Sequence, residues 1–80
     1  MKWMTAIVIG DSDDKTLYTK ALYDAKKEAI ERDCKVYLYK DKGSLIIAPD
    51  MVWGDDLLAT CYPGGRTIVK EKLRKIIFGD

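Results

Sequence analysis

Residues 14–48 of this 80-residue chain read DKTLYTKALYDAKKEAIERDCKVYLYKDKGSLIIA, and within them helical periodicity gives way to strand alternation. The first half repeats apolar residues at intervals of three and four, which is the spacing of one helix face. From residue 34 to residue 39 apolar and polar residues alternate, as they do in a half-buried strand. Residues 40–43 favour a turn, and residues 44–48 form a second apolar run. The segment therefore predicts a helix that leads into a β-hairpin, with Gly43 in a three-residue turn. The apolar helix face consists of Leu17, Tyr18, Ala21, Leu22, Ala25 and Ala29.

The segment before this helix predicts one more strand and a helix start. Residues 4–9 are nearly all apolar and rich in β-branched side chains, which is typical of a central strand covered on both faces. Residues 11–14, Asp-Ser-Asp-Asp, are residue types that cap helix N-termini. We expect the helix to run from about Lys15 to Arg32, with its alanines allowing a close approach to the sheet.

The last third of the chain predicts a further strand and a final helix. Residues 57–62 favour a strand over a helix, because Thr-Cys-Tyr precedes a Pro-Gly-Gly turn. We expect Thr67 to cap the final helix and Gly79 to end it. The chain is thus predicted to be a single globular domain, residues 1–80, of the α+β class. Its expected order is β-α-β-β-(β)-α, with a mixed sheet of three to four strands and both helices on one face.

Composition and charge favour an ordinary soluble domain without a cofactor. The chain is 48% hydrophobic and 34% charged, its net charge is +1, and it has no histidine. Histidine is the commonest general base and a common metal ligand. No nucleophile–base pair is visible either, so we expect a protein that is not an enzyme and holds no metal. Cys34 and Cys61 are expected to stay reduced, and the absence of a leader or membrane span favours a cytoplasmic protein.

Two acidic clusters invite a metal-binding interpretation that their sequence context does not favour. Asp11, Asp13 and Asp14 lie where a helix should begin, and carboxylates are common there as caps. Residues 54–56, Gly-Asp-Asp, have the composition of an exposed turn. We expect both clusters to be structural.

Aromatic residues supply the main functional hypothesis. Tyr37 and Tyr39 should lie on the same face of the second strand, away from the helices. With Trp53 they resemble the aromatic anchors of protein interfaces, and Asp55 and Asp56 would add steering charge. The sequence therefore predicts a binding module that docks on another protein, for example as an inhibitor or accessory subunit.

Two alternative functions use the basic end of the chain. A glycine pair before a helix N-terminus could cradle an anion or nucleotide, and a basic helix could bind nucleic acid through phosphates. The sequence leaves the oligomeric state and the identity of the partner open. The residues of these alternatives are Gly64, Gly65, Arg66, Thr67, Lys70, Arg74 and Lys75.

Overall fold

The computed structural model of this protein describes residues 5–49 and 56–79. These residues form five strands and two helices, which confirms the α+β class with one strand more than the upper expectation of four. In chain order the elements are β1 (Ile7–Asp11), α1 (Thr16–Arg32), β2 (Val36–Asp41), β3 (Ser44–Ala48), β4 (Asp56–Cys61), β5 (Thr67–Val69) and α2 (Glu71–Phe78).

All five strands lie in one sheet, in the order β1-β3-β2-β4-β5. Every neighbouring pair is antiparallel, so the predicted mixed sheet is wrong in this respect. The hairpin returns β3 alongside β2, and the free edge of β3 then accepts β1. As a result β1 and β2 run in the same direction, as a β-α-β unit requires, but β3 separates them.

The β2–β3 hairpin turns through only two residues. Asp41 lies opposite Ser44, which leaves Lys42 and Gly43 as the loop. Their φ angles are 50° and 83°, both in the left-handed region that a two-residue hairpin turn demands. The predicted three-residue turn was therefore one residue too long, although the left-handed Gly43 was anticipated correctly.

Helix α1 lies across β1 to β4 and packs on them through its alanines. Ala21, Ala25 and Ala29 are each 0% exposed, because three small side chains on one face let the helix backbone come close to the sheet. Gly10 makes room in the same way, since a Cβ placed there would lie 2.4 Å from Leu17 Cδ1. The buried core comprises Tyr18, Ala21, Ala25, Ala29, Val36, Leu38, Leu45, Ile47, Leu58, Ala59, Cys61 and Leu73.

The first strand is an edge strand, not the central strand that its apolar run predicted. It begins at Ile7 and pairs only with β3, and Val8 is 63% exposed. Ile7 and Ile9 pack against the core, so the run does contribute to it. An apolar run of this length does not by itself distinguish a central strand from an edge strand.

Helix α2 begins later than predicted, at Glu71. Residues 67–69 instead form β5, paired with β4, because three β-branched residues in succession fit a strand better than a first helical turn. Extended Lys70 is the N-cap residue, and Gly79 ends the helix with a left-handed φ of 74°, as expected. Leu73 joins the core beneath α1, so both helices lie on one face of the sheet.

Within the described residues, neither helix is long and apolar enough to cross a membrane.

Replacing Ala25 with leucine tests the helix–sheet contact. The larger side chain at a fully buried point should overpack the interface and cost about 1–3 kcal/mol of unfolding free energy. Urea denaturation should show this as a lower midpoint. The exposed Lys27→Leu, on the same helix, is the control and should change the midpoint little; equal midpoints for both variants would contradict the packing described.

Candidate functional site

The strand register decides which side chains share the face of the sheet away from the helices. Val36 lies opposite Cys61, and both belong to the core beneath α1. Because side chains alternate along a strand, the neighbours Lys35, Tyr37 and Tyr62 point to the opposite face. We call this surface the helix-free face. Its residues at this end of the sheet are Lys35, Tyr37, Thr60, Tyr62, Arg66 and Ile68.

Four of these residues form one group of rings and cations. The Lys35 ammonium lies 5.6 Å from the ring centroid of Tyr37 and 5.7 Å from that of Tyr62. The Arg66 guanidinium carbon lies 5.5 Å from the Tyr62 centroid. These are cation–π distances, so both cations are held on aromatic rings. We refer to Lys35, Tyr37, Tyr62 and Arg66 as the aromatic–cation cluster.

The turn between β4 and β5 positions half of this cluster. The N–H of Tyr62 donates to the Arg66 carbonyl at 2.8 Å, and the N–H of Gly65 donates to the Tyr62 carbonyl at 3.0 Å. Gly65 has a φ of 95°, which a residue with a side chain rarely adopts. A Cβ at Gly64 or Gly65 would meet nothing within 4 Å, so the turn is open. It holds Arg66 directly across from Tyr62.

The two cations of the cluster are accessible to solvent. Lys35 and Arg66 are exposed, while Tyr37 and Tyr62 are half-buried. The Tyr37 hydroxyl beside it raises the pKa of the Lys35 ammonium. Among the described residues, neither cation forms an ion pair with a carboxylate.

The residues predicted to bind a partner do not all come together. Tyr37 lies in the cluster, but Tyr39 is only 3% exposed and cannot serve as a surface anchor. By strand alternation Tyr39 points away from the helices, as predicted. The prediction was wrong in assuming that every side chain on that face is exposed to solvent. Trp53 and Asp55 lie outside the described residues.

Asp56 is an exposed residue on the helix side of the sheet. Its carboxylate accepts a hydrogen bond from Lys72 on α2 at 2.9 Å. This bond, together with the charges of Lys72 and Lys40, lowers the pKa of Asp56. Asp56 therefore links β4 to α2 and lies on the other side of the sheet from Tyr37.

The alternative basic site is divided between two places. Gly64, Gly65 and Arg66 lie in the connection between β4 and β5, so they do not precede a helix N-terminus as the anion-cradle prediction required. Thr67 is the first residue of β5, opposite Cys61, and caps no helix. The remaining members lie at α2, all exposed: Lys70, Arg74 and Lys75.

An open groove runs beside the basic helix. Its volume is about 360 Å³, and its walls are Glu71, Arg74, Lys75 and Phe78. The acidic Glu71 lies within this lining, so the groove is not uniformly positive.

The aspartates after β1 act as local hydrogen-bond acceptors. Asp11 Oδ1 accepts the Asp13 N–H at 2.8 Å, and Asp14 Oδ1 accepts both the N–H and the hydroxyl of Thr16 at 3.0 Å and 2.6 Å. The helix itself begins without a side-chain cap at Lys15. The contacts of the cluster are therefore local, but its predicted role as the N-cap is wrong, because Lys15 occupies that position.

The Tyr18 hydroxyl and the Cys61 thiol are both buried. The Tyr18 hydroxyl donates to the Ser12 carbonyl at 2.6 Å, and burial is the main cause that raises its pKa. Both cysteines are free. Burial raises the pKa of the Cys61 thiol, which makes it a poor nucleophile.

The sequence did not predict that Lys35, Tyr62 and Arg66 lie together in one cluster. The signal that could have done so is the β-branched triplet at 67–69. If those residues are taken as a strand, the Pro-Gly-Gly segment becomes a hairpin turn and Tyr62 faces Arg66. Pairing of β4 with β2 then brings Lys35 beside the same ring.

No protein-family model, curated protein or solved structure matches this chain. Its function has to be inferred from its own residues.

Removing the Lys72 charge should raise the pKa of Asp56. A carboxyl whose pKa is lowered on folding contributes stability above its unfolded pKa of about 3.9 and loses that contribution as the pH falls through the folded value. An NMR titration of the Asp56 carboxyl should therefore show a higher pKa in Lys72→Gln than in the wild type. Lys75→Gln, which removes a charge elsewhere on α2, should leave the value unchanged. An identical titration in all three proteins would mean that the ion pair does not form in solution.

Proposed function

We propose that this protein is a small non-enzymatic module that binds another protein through the aromatic–cation cluster of its helix-free face. An inhibitor or accessory subunit acts in this way. The observation that carries the proposal is the pair of tyrosine rings, Tyr37 and Tyr62, that hold two accessible cations at one end of the sheet.

The composition of the cluster is that of an interface anchor. Tyrosine and arginine are enriched among the residues that dominate binding energy, and lysine can extend their contact surface. The adjoining Ile68, at 44% exposure, adds apolar area on the same face. Binding energy in such sites comes from desolvating rings and apolar side chains, while the charges provide specificity.

Lys35 and Arg66 are pre-organised for binding. A lysine or arginine that is free in solution loses rotamer entropy when a partner immobilises it. Here the rings restrict Lys35 and Arg66 before binding, and the hydrogen-bonded turn fixes the backbone of Arg66. Part of the rotamer entropy of these side chains is therefore already lost on folding, so less is lost on binding.

The ionisable groups of the described residues favour binding over catalysis. The aspartates after β1 accept local hydrogen bonds, Asp56 pairs with Lys72, and the Cys61 thiol is buried. Two free thiols also suit a reducing compartment, and we propose the cytoplasm as the place where the protein acts.

A differential capture experiment tests the proposal. The tagged full chain is used as bait in a lysate of its source cells, and retained proteins are quantified by mass spectrometry. Tyr37→Leu with Tyr62→Leu removes both ring faces but keeps apolar volume, and should reduce retention of the specific partner at least tenfold. Tyr23→Leu on α1, at 66% exposure, is the matched control and should retain the partner. Urea midpoints establish that each bait is folded.

Two results would count against the proposal. One is a set of retained proteins that is the same for the cluster variant and the wild type. The other is loss of captured nucleic acid, but of no protein, in Lys70→Glu with Arg74→Glu; that result would assign function to the basic helix.

A further inference from the structure

Building on this proposed function, we infer that the cluster receives an acidic, extended segment of the partner protein, whose carboxylates meet Lys35 and Arg66. Such a segment would carry aspartate or glutamate at alternate positions.

The first observation is an imbalance of charge at the cluster. Lys20, Arg32 and Lys72 each pair with a carboxylate of the described residues. Lys35 and Arg66 are oriented instead by the rings of the cluster tyrosines. An aromatic ring orients a cation without neutralising it, so the charge stays available to a carboxylate from outside.

The second observation is the position of the two cations at the ends of the strands that flank Tyr62. Lys35 lies immediately before β2, Tyr62 immediately after β4 and Arg66 immediately before β5, so the three form a row across neighbouring strands. Both cationic groups lie within 5.7 Å of the centre of one ring. Side chains on the same side of an extended segment recur about every 7 Å. Two alternate acidic residues can therefore reach both cations while the intervening backbone lies over Tyr62.

The third observation concerns the turn that borders the row. Gly64 and Gly65 have no neighbouring atom within 4 Å of the position where a Cβ would be. A chain can thus approach the sheet at this end without a side chain in its way. Ile68 lies at the side of the row and offers contact to an apolar residue of the same segment.

The cluster suits carboxylates better than a single-stranded nucleic acid. Proteins that bind single-stranded nucleic acids stack the bases on open aromatic rings along a continuous basic groove. Here the rings of Tyr37 and Tyr62 already contact cations of the same chain, and the net charge of the chain is only +1. A carboxylate needs no open ring face.

Selection from a random peptide library tests the inference while the partner itself is still unidentified. The full chain is immobilised and the displayed library is panned in parallel on three proteins. These are the wild type, Lys35→Gln with Arg66→Gln, and the control Lys26→Gln with Lys27→Gln, which removes equal charge from the exposed face of α1. Fluorescence anisotropy then measures the best enriched peptide, its copy with amides in place of the acids, and an oligouridylate.

The wild type and the α1 control should enrich peptides with acidic residues at alternate positions, and the cluster variant should not. Affinity for the best acidic peptide should fall at least tenfold in Lys35→Gln with Arg66→Gln, and equally when the peptide acids become amides. The oligouridylate should bind more weakly than that peptide.

Three outcomes would overturn the inference. In the first, the enriched peptides are neutral, and their binding requires Tyr37 and Tyr62 but neither cation. That result would contradict an acidic partner segment but would still agree with the proposed function. Oligouridylate binding tighter than that of any peptide would replace the partner with a nucleic acid. Peptides that bind regardless of all four cluster residues would remove both the inference and the proposed function.

Discussion

Close contact between α1 and the sheet is the constraint on which the rest of the structure depends. Ala21, Ala25 and Ala29 bring the helix backbone against strands that would otherwise be held apart by larger side chains. A chain of 80 residues buries a smaller fraction of its surface than a larger domain does. Close packing of the helix against the sheet therefore matters more for its stability. Leu73 of α2 joins the core on the same side, so both described helices lie on one face of the sheet.

The candidate site follows from the packing of both helices on one face of the sheet. Alternation along β2 and β4 sends Val36 and Cys61 towards the helices, and thereby sends Tyr37 and Tyr62 to the other face. The short β4–β5 turn then brings Arg66 across from Tyr62. No residue of the cluster belongs to a helix, yet its arrangement depends on the register that helix packing maintains.

The sequence predicted those parts of the fold and of the site that depend on local pattern. The long helix, the hairpin and the strand after it agree with α1, β2–β3 and β4. Thr67 can cap a helix or begin a strand; the β-branched residues that follow it favour a strand, and pairing with β4 completes that strand. Tyr37 and its same-face neighbour Lys35 follow from local alternation, but their association with Tyr62 depends on long-range register, which periodicity does not reveal. Tyr39 has the same pattern, yet tertiary packing leaves it buried, because alternation gives the direction of a side chain and not its burial.

NMR spectroscopy of the free protein would test the central claim most directly, because the cluster must exist before any partner binds. Protons of the Lys35 and Arg66 side chains should show nuclear Overhauser contacts to the Tyr62 ring. Their methylene resonances should lie upfield and return to ordinary values in Tyr62→Leu. Resonances already at ordinary values in the wild type, without contacts to the ring, would show that both cations move freely and would contradict a pre-formed binding site.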